Sequence, residues 1–289
     1  QSFEELRSLP RPVDGASEEA VTGMLQEVYL RHNPTLIRAA QGMFEFREQF
    51  HLGPRDALPQ EMDRDVRRFL DRFFASRIGI RILIEQHLAL RADEIPGHVG
   101  IIKTELNAKH IAEEAATDAR VAIERAFGEA PDVIVKVGGK ASDGDITFPY
   151  IPSHVHHILF EITKNALRAV IEHHGIFDPV AKVWREPGDA NVLSDVSFRV
   201  SDEGGGIPRR ELSKVWSYLY TTFDEQGEAL RTLTTGDFDT LGPAAGLGVG
   251  LPISKLLARY FGGDLLLSSM EGHGTDATLW LRRSGRVSE

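Results

Sequence analysis

Ser153-His-Val-His-His-Ile-Leu-Phe-Glu-Ile-Thr-Lys-Asn-Ala-Leu-Arg168 reads as one amphipathic helix with two unlike faces. Val155, Ile158, Leu159, Ile162, Ala166 and Val170 recur at three- and four-residue spacing and form the apolar side. On the other side, His157, Glu161, Asn165 and Arg168 stack an imidazole, a carboxylate, an amide and a guanidinium. A carboxylate so placed can orient a nucleophilic hydroxyl or water, and an Asn oxygen one turn away is a hard ligand suited to Mg²⁺. The competing reading is a solvated helix face carrying an ordinary i, i+4 ladder.

Outward from this helix the chain divides near residue 130. Before it, periodic apolar residues predict four helices over 18–33, 34–51, 61–91 and 104–127. Asn33-Pro34, Gly53-Pro54, Pro59 and Pro96-Gly97 punctuate them. After it the period falls to two, in Val133, Val135 and Val137, in Val196, Phe198 and Val200, and in a hairpin of Leu265–Ser269 and Ala277–Leu281 over Glu271-Gly272-His273-Gly274. A second helix is expected over 251–261. Eight of the 27 glycines precede residue 131 and nineteen follow it. The expected fold is α+β, with a four-helix bundle over 1–130 and an α/β sandwich over 131–289 whose helices cover one face of a mixed sheet.

Composition narrows the chemistry. The 289 residues hold 33 Lys and Arg against 43 Asp and Glu, a net charge of −10 shared evenly between the two parts. That balance argues against nucleic-acid binding, which needs clustered cations. Absence of cysteine removes disulfides, thiol nucleophiles and thiolate metal sites. No apolar run is long enough to predict membrane insertion, since a span takes about 20 residues.

Two glycine-rich places flank the central helix. In Val196-Ser-Phe-Arg-Val-Ser-Asp-Glu-Gly-Gly-Gly-Ile-Pro208 a strand runs into Asp202 and then three glycines. An acceptor-only carboxylate there would favour the exocyclic amine of adenine over the carbonyl of guanine. In Gly242-Pro-Ala-Ala-Gly-Leu-Gly-Val-Gly-Leu-Pro-Ile-Ser254 alternate glycines lead into a helix, where bare amides make an anion site without a lysine. Taken singly, either is also an ordinary glycine turn. The Walker loop, the dinucleotide fingerprint and the His-Arg-Asp and Asp-Phe-Gly tripeptides of common protein kinases are absent.

The ordered set is more specific than its parts. Glu-x-x-x-Asn on a helix, Asp-x-Gly-x-Gly after a strand, a loop over 223–245, Gly-x-Gly-x-Gly before a helix and a final Gly274-Thr275 resemble the GHKL ATPase superfamily. Glu161-Ile-Thr-Lys-Asn-Ala-Leu-Arg168, Ser201-Asp-Glu-Gly-Gly-Gly206, Ser217-Tyr-Leu-Tyr-Thr-Thr222, Gly246-Leu-Gly-Val-Gly-Leu-Pro-Ile-Ser254 and Ser269-Met-Glu-Gly-His-Gly-Thr-Asp276 are similar to the mitochondrial 2-oxoacid dehydrogenase kinases. Arg68-Phe-Leu-Asp-Arg-Phe-Phe-Ala-Ser-Arg-Ile-Gly-Ile-Arg in the first part is similar too.

The resemblance implies a mitochondrial matrix serine kinase that inactivates the E1α subunit of a 2-oxoacid dehydrogenase. It implies a helical part that docks the lipoyl domain of the E2 core, and a homodimer formed through the sheet. Glu161 would be the general base, tuned by His157, and Asn165 would hold Mg²⁺. Lys164 and Arg168 would lie near the nucleotide and Asp202 would read adenine. Gly204, Gly206, Thr221 and Thr222 would touch the ATP, Gly246, Leu247, Gly248, Val249, Gly250 and Leu251 would wrap its phosphates, and Thr275 would support Asp202. K⁺ near the nucleotide is a further implication. The motifs at 217–220, 251–254 and 269–272 lean toward pyruvate dehydrogenase kinases and those at 76–81 and 87–90 toward the branched-chain kinase, which stays the alternative. A GHKL ATPase switch or a histidine kinase phosphorylated on His87 stands further off, because the surroundings of His87 suit a buried, hydrogen-bonded imidazole. The 223–245 loop is short beside the family's lid, and the aromatic tail that pyruvate dehydrogenase kinases exchange across their dimer has no counterpart, which leaves tail crossing open.

Overall fold

Local sequence chemistry sets the helix boundaries. Asp14 and Ser17 close a capping box, in which Ser17 N donates to Asp14 Oδ1 at 2.8 Å and Asp14 N to Ser17 Oγ at 3.1 Å. Pro152 opens the central helix at a position where no amide hydrogen is needed. The computed structural model describes residues 2–9, 11–52, 58–137, 146–174, 181–184, 195–218, 220 and 248–282, with the main chain alone at Phe3, Phe44 and 181–184. Along the chain lie α1 (Ser2–Ser8), α2 (Gly15–Arg31), α3 (Thr35–Gln49), α4 (Gln60–Arg91), β1 (His98–Val99), β2 (Ile102–Asn107) and α5 (Ala108–Phe127). There follow β3 (Val133–Val135), β4 (Thr147–Tyr150), α6 (Pro152–His174), β5 (Ala181–Trp184), β6 (Asp195–Asp202), a 3₁₀ turn (Lys214–Trp216), α7 (Gly250–Tyr260), β7 (Asp264–Met270) and β8 (Gly274–Arg282).

The main sheet runs β3-β5-β6-β8-β7, with β3 and β5 parallel and the other pairs antiparallel, so the expected mixed sheet is present. Its long ladder joins β6 to β8 from Asp195↔Arg282 to Asp202↔Thr275. Val196, Phe198 and Val200 of β6 and Leu265, Leu279 and Leu281 of the hairpin are buried beneath α6 and α7, while Leu266 and Trp280 stay exposed on the opposite face.

The helix expected over 104–127 is corrected. Residues 102–107 form a strand that pairs with β4 at Lys103↔Tyr150, Leu106↔Phe148 and Asn107↔Thr147, and the helix begins only at Ala108. Asn107 caps it by accepting from His110 N at 3.0 Å, and Gly128 ends it at φ 88°. Its buried face is Ala108, Ile111, Ala112, Ala115, Ala116, Ala119 and Ile123. Those small side chains let it lie close along α6, its main packing partner. Of the four helices expected to bundle over 1–130, α5 packs chiefly on α6 and α2 on α4.

Among the described residues the larger of two hydrophobic clusters links the N-terminal helices to the sheet domain. Leu70 and Phe74 of α4 join Val155, Ile158 and Leu159 of α6 and Ile253 and Leu257 of α7 in a single cluster. The apolar pattern of α4 is wider than its buried stripe, for Phe69, Phe73, Ile80 and Leu83 remain exposed. His87 Nε2 lies 2.9 Å from Thr22 Oγ1 on α2, the hydrogen-bonded setting expected of it.

Candidate active site

Glu161 lies on the polar side of α6, yet it is only 4% exposed, and His157 and Lys164 are buried with it. A solvated ladder is thereby overturned, since ionisable groups are buried only when their partners are built in. The group that donates to Glu161 Oε1 is Lys164 Nζ at 2.6 Å, in place of the His157 imidazole expected from the sequence. The i, i+3 spacing brings ammonium to carboxylate, and burial strengthens their attraction. Asn165 is half-buried on the same helix, and Arg168 Nε pairs with Glu172 Oε1 at 2.9 Å.

Gly250 opens α7 directly beside this carboxylate. A Cβ at residue 250 would collide with Glu161 Oε2, so the helix start and the acid are packed as one unit. Val249 precedes α7 without any side-chain cap, which leaves the first-turn amides available to an anion. Gly248 adopts φ 67°, the left-handed geometry that delivers the chain into that turn.

The end of β6 is fixed by close approach. At Gly204 a Cβ would lie 2.6 Å from the Ala169 main chain and 2.8 Å from Val170 N, so the glycine turn sits against α6 one turn beyond Asn165. Asp202 Oδ1 accepts from Gly204 N at 2.9 Å and from Thr275 N at 3.3 Å. Burial raises the Asp202 pKa, the two amides pull it down in part, and Asp276 adds to the rise. Thr275 supports Asp202 through its amide, while its hydroxyl lies 2.9 Å from Ser269 Oγ. Ser269 was not singled out in the sequence. It accepts from Ile207 N at 2.7 Å and ties the glycine turn, Gly206 included, to the hairpin.

The described residues thus bring Glu161, Lys164, Asn165, Arg168, Asp202, Gly204, Gly206, Gly248, Val249, Gly250, Leu251 and Thr275 onto one side of α6 and its neighbours. Thr221, Thr222, Gly246, Leu247 and the 223–245 loop lie outside the described residues. The donor set fits a nucleotide. A half-buried carboxylate with an oxygen to spare stands at one end, and an uncapped helix start lies against an acid at the other. Asn165 offers a hard amide oxygen that could hold Mg²⁺ together with ligand oxygens.

Behind His157, His154 is 7% exposed, lies against Phe261, and its Nδ1 meets no partner among the described residues. Burial first, and the charge of His157 second, push its pKa down to about 4. Such a folded value lies below the unfolded 6.5, so the unfolded chain takes up a proton first and stability falls as pH drops from 6.5 toward 4. At pH 5 this loss is expected to reach roughly 2 kcal/mol, and His154→Leu should flatten that part of the urea-midpoint profile. An unchanged slope in the variant would contradict the burial of a neutral imidazole.

Comparison with known proteins gives two family matches. Residues 1–103 match the family described as mitochondrial branched-chain alpha-ketoacid dehydrogenase kinase, and residues 150–285 match histidine kinase-, DNA gyrase B- and HSP90-like ATPases. The chain is 40% identical to the mitochondrial [pyruvate dehydrogenase (acetyl-transferring)] kinase of Arabidopsis thaliana, over 100% of its own length and 75% of that protein. It is 39% identical to the Schizosaccharomyces pombe kinase of the same name, covering 90% of the chain and 58% of that protein. Against human isozyme 3 it is 36% identical over 98% of the chain and 68% of that protein.

Proposed function

The chain belongs to the mitochondrial pyruvate dehydrogenase kinase family within the GHKL ATPases, and from that premise we propose that it phosphorylates a serine of the E1α subunit of pyruvate dehydrogenase and so inactivates the complex. The observation that carries this reading is Glu161, a buried carboxylate set against the uncapped start of α7.

Glu161 takes the proton of the acceptor hydroxyl as the serine oxygen bonds to the γ-phosphorus and ADP departs with the broken bond's electrons. For that, Lys164 gives up its bond to Oε1, and the phosphate chain offers the ammonium another anion. The first-turn amides of α7 face the charge that develops, and His157, one turn before Glu161, holds the imidazole side of the site. Asp202 accepts from the adenine amine, fixed in place by Gly204 and Thr275. When bound, Mg²⁺ neutralises phosphate charge, with Asn165 as its protein ligand, and K⁺ would sit near the nucleotide.

We place the protein in the mitochondrial matrix, as a homodimer joined through the sheet face that leaves Leu266 and Trp280 exposed. The exposed stripe of Phe69, Phe73, Ile80 and Leu83 on α4 is the surface offered to the lipoyl domain of the E2 core. A branched-chain 2-oxoacid dehydrogenase is the second reading, favoured by the family matched over residues 1–103. Radiolabelled ATP presented with each purified E1 separates them. Label on pyruvate dehydrogenase E1α is expected, label on the branched-chain E1α alone would reverse the choice, and steady ATP turnover with no labelled E1 would overturn the kinase reading.

A further inference from the structure

At the seam between the N-terminal helices and the ATP-binding part lies a cavity of about 760 Å³, walled by α3, α4 and, opposite them, Ser213, Lys214, Ser217, Tyr218 and Tyr220. Six cations line it: Arg47, Arg64, Arg67, Arg68, Arg72 and Lys214. Among the described residues that line it, the acids are Asp63 and Asp71, and both are engaged, Asp63 by Arg67 and Asp71 by the Tyr218 hydroxyl at 2.7 Å. In a chain of net charge −10 this is a concentrated positive hollow.

The arginines are not arranged for stability. Arg64, Arg68 and Arg72 follow one another at i, i+4 and i+8 along α4, so like charges face each other at every turn. Arg68 meets Asp65 at a loose 3.8 Å and no other ion pair is seen for the three among the described residues. All three are exposed, while Arg47 at the base is 5% exposed. The stripe rises about 12 Å along the helix, the reach of three or four extended residues. A single small anion would leave most of that length and volume empty.

The opposite wall ties the cavity to the reaction centre. Tyr218 is buried and stacks on Phe74 at 5.6 Å, Arg67 donates to Ser217 Oγ at 2.8 Å, and the Lys255 ammonium of α7 sits 3.9 Å from the Trp216 ring centre. The segment is held between α4 and the helix whose first residue touches Glu161.

We propose that this cavity binds an acidic segment of the acceptor protein, seating its carboxylates along Arg64, Arg68 and Arg72 while its serine reaches Glu161. The proposal rests on the kinase reading for its consequence in catalysis, but the binding itself is measurable apart from it. The triple variant Arg64→Gln, Arg68→Gln, Arg72→Gln alters exposed positions that touch neither nucleotide nor base. Its KM for E1α should rise about tenfold or more, with ADP affinity and melting temperature held at wild-type values. In parallel, a short fluorescein-labelled peptide of alternating Glu and Gly is titrated with the full chain and read by anisotropy. Wild type should bind it in a salt-sensitive manner, about tenfold or more tightly than the Gln and Gly analogue, and the variant should lose that preference. Lys214→Gln on the facing wall should weaken the same peptide. Equal affinity for the two peptides, undiminished binding by the triple variant, or capture of inorganic phosphate without peptide would each overturn the proposal. A wild-type chain that labels no E1 would sink the kinase reading instead, and the anisotropy would still decide the cavity.

Discussion

Glu161→Gln is expected to lower phosphoryl transfer by about a thousandfold, within the range that a positioned general base contributes. The amide keeps the size of the side chain and still offers an oxygen to Lys164 Nζ, so the packing against Gly250 is preserved. Only the capacity to hold the acceptor's proton is removed. Label incorporation into E1α measures the loss, and titration with ADP and Mg²⁺ should show nucleotide affinity within about threefold of wild type. A variant that transfers phosphate at full rate would remove Glu161 from the reaction. One that loses nucleotide binding as well would make it a structural acid.

Asp202→Asn should have the largest effect on binding. The Asn oxygen can keep the hydrogen bonds from Gly204 N and Thr275 N, which leaves the β6–β8 ladder intact. Its nitrogen then stands where Asp202 presents its second oxygen, and a donor faces the adenine amine. Two opposed donors, shut in between the base and a half-buried side chain, cost about 2–3 kcal/mol, so ADP affinity should fall by roughly fiftyfold to a hundredfold. The same change offers a donor to a guanine carbonyl, so the preference for ADP over GDP should narrow. Calorimetric titration of both nucleotides, beside a melting curve, checks the pair of statements. An undiminished ADP affinity would show that another group reads the base.

The sheet hairpin, the central helix and the glycine-led α7 were legible because each carries a period or a turn signal within its own residues. Val196, Phe198 and Val200 alternate, and Val155 to Val170 keep helical spacing, whatever they later pack against. The 104–127 segment misled for the same reason. Its alanines look helical everywhere, and nothing within 102–107 reveals that a partner strand waits at 147–150. Pairing across so many residues is a tertiary fact. In the site, the position of Glu161 could be read but its partner could not. Both His157 and Lys164 lie within one turn of it, and which one donates depends on side-chain packing that spacing does not encode. The role of Ser269 is not legible within its motif, because its bond to Ile207 N joins β7 to a turn far away in sequence. The arginine stripe on α4 could have been noticed as a breach of helix charge rules. What made it a cavity wall was the return of Ser213, Lys214, Ser217, Tyr218 and Tyr220.

The placement of β2 and α5 bears on what can be cut, inherited or exchanged as a module. Although they precede residue 130, they supply β4 with its strand partner and α6 with the cover for one side. A fragment beginning after Phe127 would bare Leu159, Leu167 and Ile171 and free an edge strand, a combination that invites self-association. The compositional change that the glycines mark thus falls between segments that pack on one another.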